Sequence, residues 1–490
     1  MRKSIALCLG LLLALCLLFT DCSRKEQPAN VNIPQDCKIG ALIGTTLQKS
    51  IHSVYPQAQI LYYENLSLMC LALKKGQIDA FVCMSNGSND LLSKNPGIRH
   101  YDTPVAIHDT SAMIFRQTDL VLEIQFNSFL DSIKHNGTME QIRNNWFGSD
   151  APRKEYHPTV TQGEPINVGV ETGQSFSTLL IDDEVTGFEP ELLLRFGDYI
   201  NRPVHLVEMR SVGMIPALLS GRLDMIANNV TPTLARSKNL LFSQPYDIYP
   251  VCFCVYDPSI ISEQKAPFGE TVKQNIFEEK RYMLILEGLL NTLIITFLSI
   301  VFGYLGGLLL VIAKQRGRIS KRFAEFYCEF IESIPIVVLL LFMFYVVFAT
   351  SHMSAMTVAV ITFSLYFTVG AADAIERSAD SVDKGQLEAG VAMGFKQLQV
   401  LAYILVPQAA DEFFSQFRNK AVGLIENTSI VGFIAIKDMT MVTDLIRSQT
   451  YNSLIPLAIV AALYFGIAFG ITKSFEIMAG KFSYKKRNRI

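Results

Sequence analysis

Apolar residues follow two rhythms along this 490-residue chain. From about residue 30 to 265 they come in short runs, broken by Gly, Pro, Asn and Asp and mixed with stretches of helical period. That alternation predicts an α/β domain. From 283 to 475 they come in runs long enough to cross a hydrocarbon core, which takes about 20 residues per helix. Five spans are expected, at 283–313, 324–349, 354–374, 415–436 and 454–473. Arg418, Lys420 and Glu426 interrupt the fourth. Charges there are costly in lipid, so they are expected to face helix neighbours or a polar path.

A third apolar run opens the chain, in MRKSIALCLGLLLALCLLFTDCS. Arg2 and Lys3 followed by an apolar stretch is a secretory signal pattern. Cys22 stands after it as in bacterial lipoproteins, where that cysteine is acylated, although Phe19-Thr20-Asp21 departs from the small neutral residues of such signals. Lipoprotein processing, an uncleaved anchor and simple cleavage stay open, and all three export the α/β domain.

Composition narrows the class. Half of the residues are apolar, the formal net charge is −2 and the mean hydropathy is +0.28. That speaks against nucleic acid and for a membrane protein with a soluble part. Nine cysteines in this length make no disulfide framework. Cys37, Cys70, Cys83, Cys252 and Cys254 are mostly flanked by apolar residues and read as core positions. No CxxC or Cys/His spacing suggests a metal, no catalytic residues are expected, and no G-x-x-x-x-G-K-[ST] phosphate loop occurs. The basic loop KQRGRISKR (314–322) and the tail KKRNRI (485–490) are expected in the cytoplasm. With an exported first half, five spans place both inside, together with GQLEAGVAMGF (385–395).

That last segment carries Glu388-Ala389-Gly390, then Gly394, then Ile404 and Pro407. It resembles the loop by which permease subunits of ABC importers dock onto their ATPases, with Gly390 in place of an alanine and Val406 in place of a leucine. Together with GLLNTL, FIESIPIVVLLLF (330–342) and ENTSIVGFIAI (426–436), it is similar to the polar-amino-acid uptake permeases over about 200 residues. Glu332 departs from that family's arginine. The resemblance implies a type I ABC importer permease of about five transmembrane helices in a bacterial inner membrane. It would be multi-pass, homodimeric, and energised by ATP on a separate ATPase subunit, with no cofactor in this chain.

The exported half has a resemblance of its own. INVGVETGQSFSTLLIDDEVTGFEPELLLRFGDYI, MIPALLSGRLD, TPTLAR and FSQPYD are similar to the first lobe of periplasmic amino-acid-binding proteins. CKIGALIGTTLQKSI and CLALKKGQIDAFVC resemble their second lobe, and FNSFLDSIKHNGTMEQIRNNWFG (126–148) their C-terminal helices. The order is reversed, which implies one circularly permuted, two-lobed Venus-flytrap domain; two decayed half-domains are the alternative. The expected layout is a signal at 1–22, a linker at 23–36, lobe 2 at 37–115, returning helices at 116–150 and a linker at 151–165. Lobe 1 at 166–262 comes next, then a linker at 263–282, the permease at 283–475 with its docking loop at 378–407, and the tail at 476–490.

The binding-protein resemblance implies a ligand site. Arg236 falls where the family's arginine holds a carboxylate through a two-pronged hydrogen bond. Thr231 and the backbone at Asn229 complete that site. Thr45 and Thr46 are expected to open a helix whose free N–H groups favour an anion. Met84 stands where the family has the aspartate that binds an ammonium, and Ser85 compensates only in part. The stacking aromatic expected near Gln174 is missing, with Phe176 as a substitute. The expected function is an importer subunit that combines receptor and permease, for an amino acid or similar small carboxylate. A ligand-gated channel, prompted by TVG within 367–374, and a ligand-sensing membrane receptor are the rivals.

Overall fold

The computed structural model describes residues 33–43, 45–85, 88–101, 107–148, 154–172, 177–181, 184–260, 268–351 and 353–482. The expected signal with Cys22, the residues Gln174 and Phe176, and the basic tail KKRNRI lie outside the described residues. The chain divides into two units, one up to Asp109 together with Tyr249–Lys265, the other Thr110–Ile248 together with Ala266–Ile490.

The first unit alternates strands and helices: β1 (Lys38–Leu42), α1 (Leu47–Val54), β2 (Gln59–Tyr63), α2 (Leu66–Lys74), β3 (Ala80–Met84), α3 (Ser88–Lys94) and β4 (Ile98–Tyr101). β1 lies between β2 and β3, parallel to both. Every residue of β3 is buried, as expected of a central strand covered on both faces. Asn65 starts α2 by accepting the Leu68 N–H at 3.0 Å on its side-chain oxygen. The sheet is finished by residues from far along the chain. Within β12 (Asp247–Tyr256), Val251–Cys254 run antiparallel to β3 and Phe253–Tyr256 antiparallel to β4. The expected lobe boundaries at 115 and 262 are corrected accordingly. β12 from Tyr249 onward belongs with the first unit because its ladder partners are there, and β5 (Ile107–Arg116) belongs from Thr110 onward with the second.

The second unit begins with a smaller α/β layer. β5 leads to α4 (Leu120–His135) and α5 (Thr138–Phe147). Then come β6 (Ile166–Val170), the hairpin β7 (Leu179–Ile181) and β8 (Glu184–Thr186), α6 (Phe188–Ile200), β9 (Val204–Glu208), α7 (Ser211–Leu219), β10 (Met225–Val230) and β11 (Leu240–Phe242). β6 is parallel to β9 and β10, and β5 runs antiparallel to β10 and β11. α4 and α5 precede β6 in the chain yet share its core. Phe126 and Phe129 of α4 stack edge-on or tilted against Phe196 of α6, with centroids 5.0 and 5.6 Å apart, and Trp146 is buried in the same cluster. The described part of the 151–165 linker is pinned to α6. Asp198 accepts from the Tyr156 hydroxyl at 2.6 Å and from the Val160 N–H at 2.8 Å.

The rest of this unit is helical: α8 (Phe268–Ile276), α9 (Arg281–Gln315), α10 (Arg318–Ser333), α11 (Ile336–Phe342, continued by a wider turn over Met343–Val347), α12 (Ala355–Asp380), α13 (Lys384–Ala392), α14 (Gln397–Val400), α15 (Val406–Thr428), α16 (Met439–Thr450) and α17 (Leu454–Phe482). Three of these, α9, α12 and α17, are long and apolar enough to cross a membrane. The span expected at 324–349 is not one helix. α10 and the α11 segment meet at 103°, because Ile334 is extended (φ −102°, ψ 124°) before Pro335, whose ring disfavours helix at the preceding residue. The span expected at 415–436 is also revised: α15 ends at Thr428 and is too polar to count with those three, carrying Lys420 3.4 Å from Asp373. It belongs to the bundle through Phe417, whose ring lies 5.3 Å from Phe367 of α12 and 5.6 Å from Tyr304 of α9. The TVG at 368–370 lies inside the unbroken helix α12, and so has no filter-loop geometry.

Candidate functional site

The expected ligand residues sit on strand ends and helix starts. α1 opens directly after Thr46, as expected, but neither threonine caps it with its side chain. Thr45 Oγ1 donates to the Leu42 carbonyl at 2.8 Å, and Thr46 Oγ1 donates to Asp109 Oδ2 at 2.9 Å. A carboxylate of the protein thus already lies at the start of the helix whose free N–H groups were expected to favour an anion. Met84 ends β3 and is buried; the Ser85 N–H donates to the Pro250 carbonyl at 2.8 Å.

In the second unit, Asn229 takes a left-handed backbone (φ 46°), and its N–H is committed to Glu189 Oε1 at 3.1 Å. Its side-chain oxygen accepts from Ser111 Oγ at 3.1 Å. Arg236 starts a short helical turn and donates from Nη1 to the Thr231 carbonyl at 3.0 Å, so these two expected partners do meet.

Two acidic groups beside these residues were not legible as site residues. Glu189 is buried, accepting from Thr178 Oγ1 at 2.7 Å and from the Tyr246 hydroxyl, and burial holds its carboxyl above the usual range. Glu171, directly after β6, accepts the Ser211 N–H at 3.0 Å; desolvation pushes it up to about 7 despite that bond. Each stands where its sequence signal is only an acid next to a strand or helix start.

The permease face of the α/β layer is a built seam within the second unit. Arg222, after α7, donates to the carbonyls of Phe344 at 3.2 Å and Phe348 at 2.7 Å. Its guanidinium carbon lies 3.7 Å from the centroid of the Phe344 ring. The cation meets the carbonyl-rich end of the α11 segment, where the helix dipole is negative. Arg210 pairs with Asp444 of α16 at 2.5 Å. Gly213 lets the two parts touch: a Cβ there would lie 2.5 Å from the Phe433 carbonyl oxygen, and the Tyr345 hydroxyl donates to the Gly213 carbonyl at 3.1 Å. Leu180 of β7 is buried with Leu284, Val442, Leu445 and Ile446, and Gln449 donates to its carbonyl at 2.8 Å. Nothing in the sequence marks Arg210 or Arg222 for this contact.

The expected docking turn is a helix, α13, capped by Asp383, which accepts the Gly385 N–H at 2.7 Å. Glu388 and Ala389 are exposed on it, and Gly390 faces inward. A Cβ on Gly390 would meet Ile404 Cδ1, so the alanine of the resemblance would require that side chain to shift. Gly394 ends the helix in the left-handed region (φ 86°). Around this turn the surface is apolar: Val391, Met393, Leu398 and Tyr403 are all exposed, Met393 and Leu398 at 78% each.

Residues 299–476 match the model of the binding-protein-dependent transport system inner membrane component, and the chain belongs to that family. It is 30% identical over 186 residues to the L-cystine transport system permease protein TcyL of Bacillus subtilis, covering 36% of this chain and 78% of that protein. It is 28% identical over 191 residues to the permease provisionally named for a glutamine transport system, GlnP, of Rickettsia felis, covering 38% of this chain and 86% of that one. Among solved structures, one titled as an amino acid ABC transporter with histidines is 27% identical, with a TM-score of 0.39, covering 44% of this chain and all of that one. The chain is therefore a transport protein, a permease with an α/β domain fused ahead of it.

Proposed function

We propose that this chain is an ABC importer subunit whose receptor is built in. The α/β domain captures an amino acid or a similar small carboxylate outside the cell and delivers it to the permease. The observation that carries this reading is the seam: the lobe bearing Arg236 is held on the permease by Arg222, Arg210 and Gly213, so receptor and channel partner come as one molecule. Relatives named for cystine and glutamine transport support an amino-acid cargo. Met84, in place of the aspartate that the resemblance expects, favours a cargo without a conventional ammonium contact.

The α13 turn faces the cytosol and receives a separate ATP-hydrolysing subunit. Two copies of the chain would form one pore with two such subunits. The shared core of α4, α5 and α6 supports one permuted binding domain over two half-domains, since each half alone would leave an apolar face without a partner.

The test is uptake. Proteoliposomes holding the chain and its ATPase should accumulate a labelled amino acid only with ATP inside the compartment that the α13 turn faces. Arg236→Ala should abolish the ligand-induced rise of the thermal midpoint of the full chain, which tracks ligand concentration over Kd. A midpoint rise unchanged in Arg236→Ala would remove Arg236 from the site; ligand-evoked current without ATP would replace the importer with a channel.

A further inference from the structure

Three of the cysteines that read as separate core positions meet on one face of the first unit's sheet. Cys252 stands opposite Cys83 in the β12–β3 ladder, and Cys254, two residues on, points the same way. Cys83 Sγ lies 3.5 Å from Cys252 Sγ and 3.6 Å from Cys254 Sγ, and all three sulfurs fall within 4.8 Å of one another. On the other side of β12, His100 of β4 stands opposite Cys254, which puts its ring on that same face. His100 Nε2 is hydrogen-bonded to Ser88 Oγ at 2.8 Å, and the ring also lies against the Cys252 thiol.

We propose that Cys83, Cys252, Cys254 and His100 form a binding site for one thiophilic divalent cation of the zinc class. Sulfurs held at about 2.3 Å from a tetrahedral ion are spaced by about 3.8 Å, close to the spacing found here. The ligand set is three thiolates and one imidazole, a set that structural zinc sites use. Ser88 acts as the outer partner that orients the imidazole and leaves its other nitrogen for the ion.

Three thiolates this close repel one another, and a bound cation is what lets all three ionise. The ion would tie β3 and β12 together directly beside Met84 and Ser85, joining segments separated by about 170 residues of chain.

The full chain, purified in detergent under reducing conditions and stripped of metal, is titrated with cobalt(II). The site predicts saturation at one ion per chain with sulfur-to-cobalt charge-transfer absorption and the visible bands of a tetrahedral ion, both erased by one equivalent of zinc(II). Cys252→Ser and Cys254→Ser should weaken binding at least about 100-fold, and His100→Asn about 10-fold or more with altered visible bands. Cys37→Ser and Cys70→Ser should leave the titration unchanged. A second readout needs no variant: alkylating the thiols of the zinc-loaded unmodified chain should release one zinc. No saturable cobalt spectrum, a titration indifferent to Cys252→Ser, or no zinc released on alkylation would each overturn the proposal. So would a chain purified without reductant that holds a Cys83–Cys252 disulfide and takes up no ion after reduction.

Discussion

The seam under α7 and the turn around α13 are both surfaces of the same helical bundle, and they differ in kind. The seam is polar at its anchors and closed: guanidinium to carbonyl, carboxylate to guanidinium, and a glycine where backbones meet. The turn is apolar and open, with Met393, Leu398 and Tyr403 turned outward. A protein rarely leaves such side chains clustered in the open without a use for them. The difference separates a surface already covered within the chain from one still open, which under the proposed function is the surface left for the ATPase subunit.

The sharpest way to break that contrast is to charge the open turn. A Met393→Asp, Leu398→Asp double variant should drop ATP-driven uptake to background. Its stability should change by no more than about 1 kcal/mol, since each exposed substitution costs about 0.5 kcal/mol or less. Uptake and thermal midpoint measured on the same preparation check this; a large loss of stability would mean that the turn packs on its own chain.

The reverse pattern is expected at the seam. Arg222→Ala leaves the Phe344 and Phe348 carbonyls without their charged donor and removes the ring contact. It should destabilise the second unit by about 2–4 kcal/mol, read by denaturant unfolding. A double-mutant cycle on Arg210 and Asp444 should return a smaller coupling, about 1 kcal/mol, because both side chains keep a quarter of their surface in water.

The smallest expected effect is a slope. Glu171 titrates near 7 in the folded chain and at its ordinary 4.5 when unfolded. The folded state therefore holds the proton more tightly between those values. The contribution of Glu171 to stability is full below about pH 4.5 and is lost as the pH rises through about 7. Glu171→Gln should flatten that decline in thermal midpoints taken from pH 5 to 8.

Much of this was legible in the sequence, and the same contrast explains where reading stopped. The open turn announced itself, because Glu388, Ala389, Gly390 and Gly394 are close together in the chain and the fold leaves them in one helix and its cap. The α/β layers were visible as short apolar runs, and three spanning helices as long ones. The bend at Ile334 had a signal that the apolar run masked, since Pro335 sits in its middle. The seam had none: Arg222 and Phe348 are 126 residues apart, and no local pattern distinguishes an arginine facing water from one facing carbonyls. The thiol cluster failed for the same reason, because a strand from one end of the α/β region completes a sheet begun at the other. The lobe boundaries also failed, since β5 and β12 each serve both units.

Import of the kind proposed requires the receptor layer and the α13 turn to lie on opposite sides of the membrane. The most direct test is sided labelling with a membrane-impermeant maleimide on spheroplasts expressing Ala389→Cys or Leu234→Cys, each compared with the parental chain. Leu234, at 91% exposure on the receptor layer, should label at once, and Ala389 only after the membrane is opened. Equal labelling of both positions in sealed spheroplasts would contradict that arrangement.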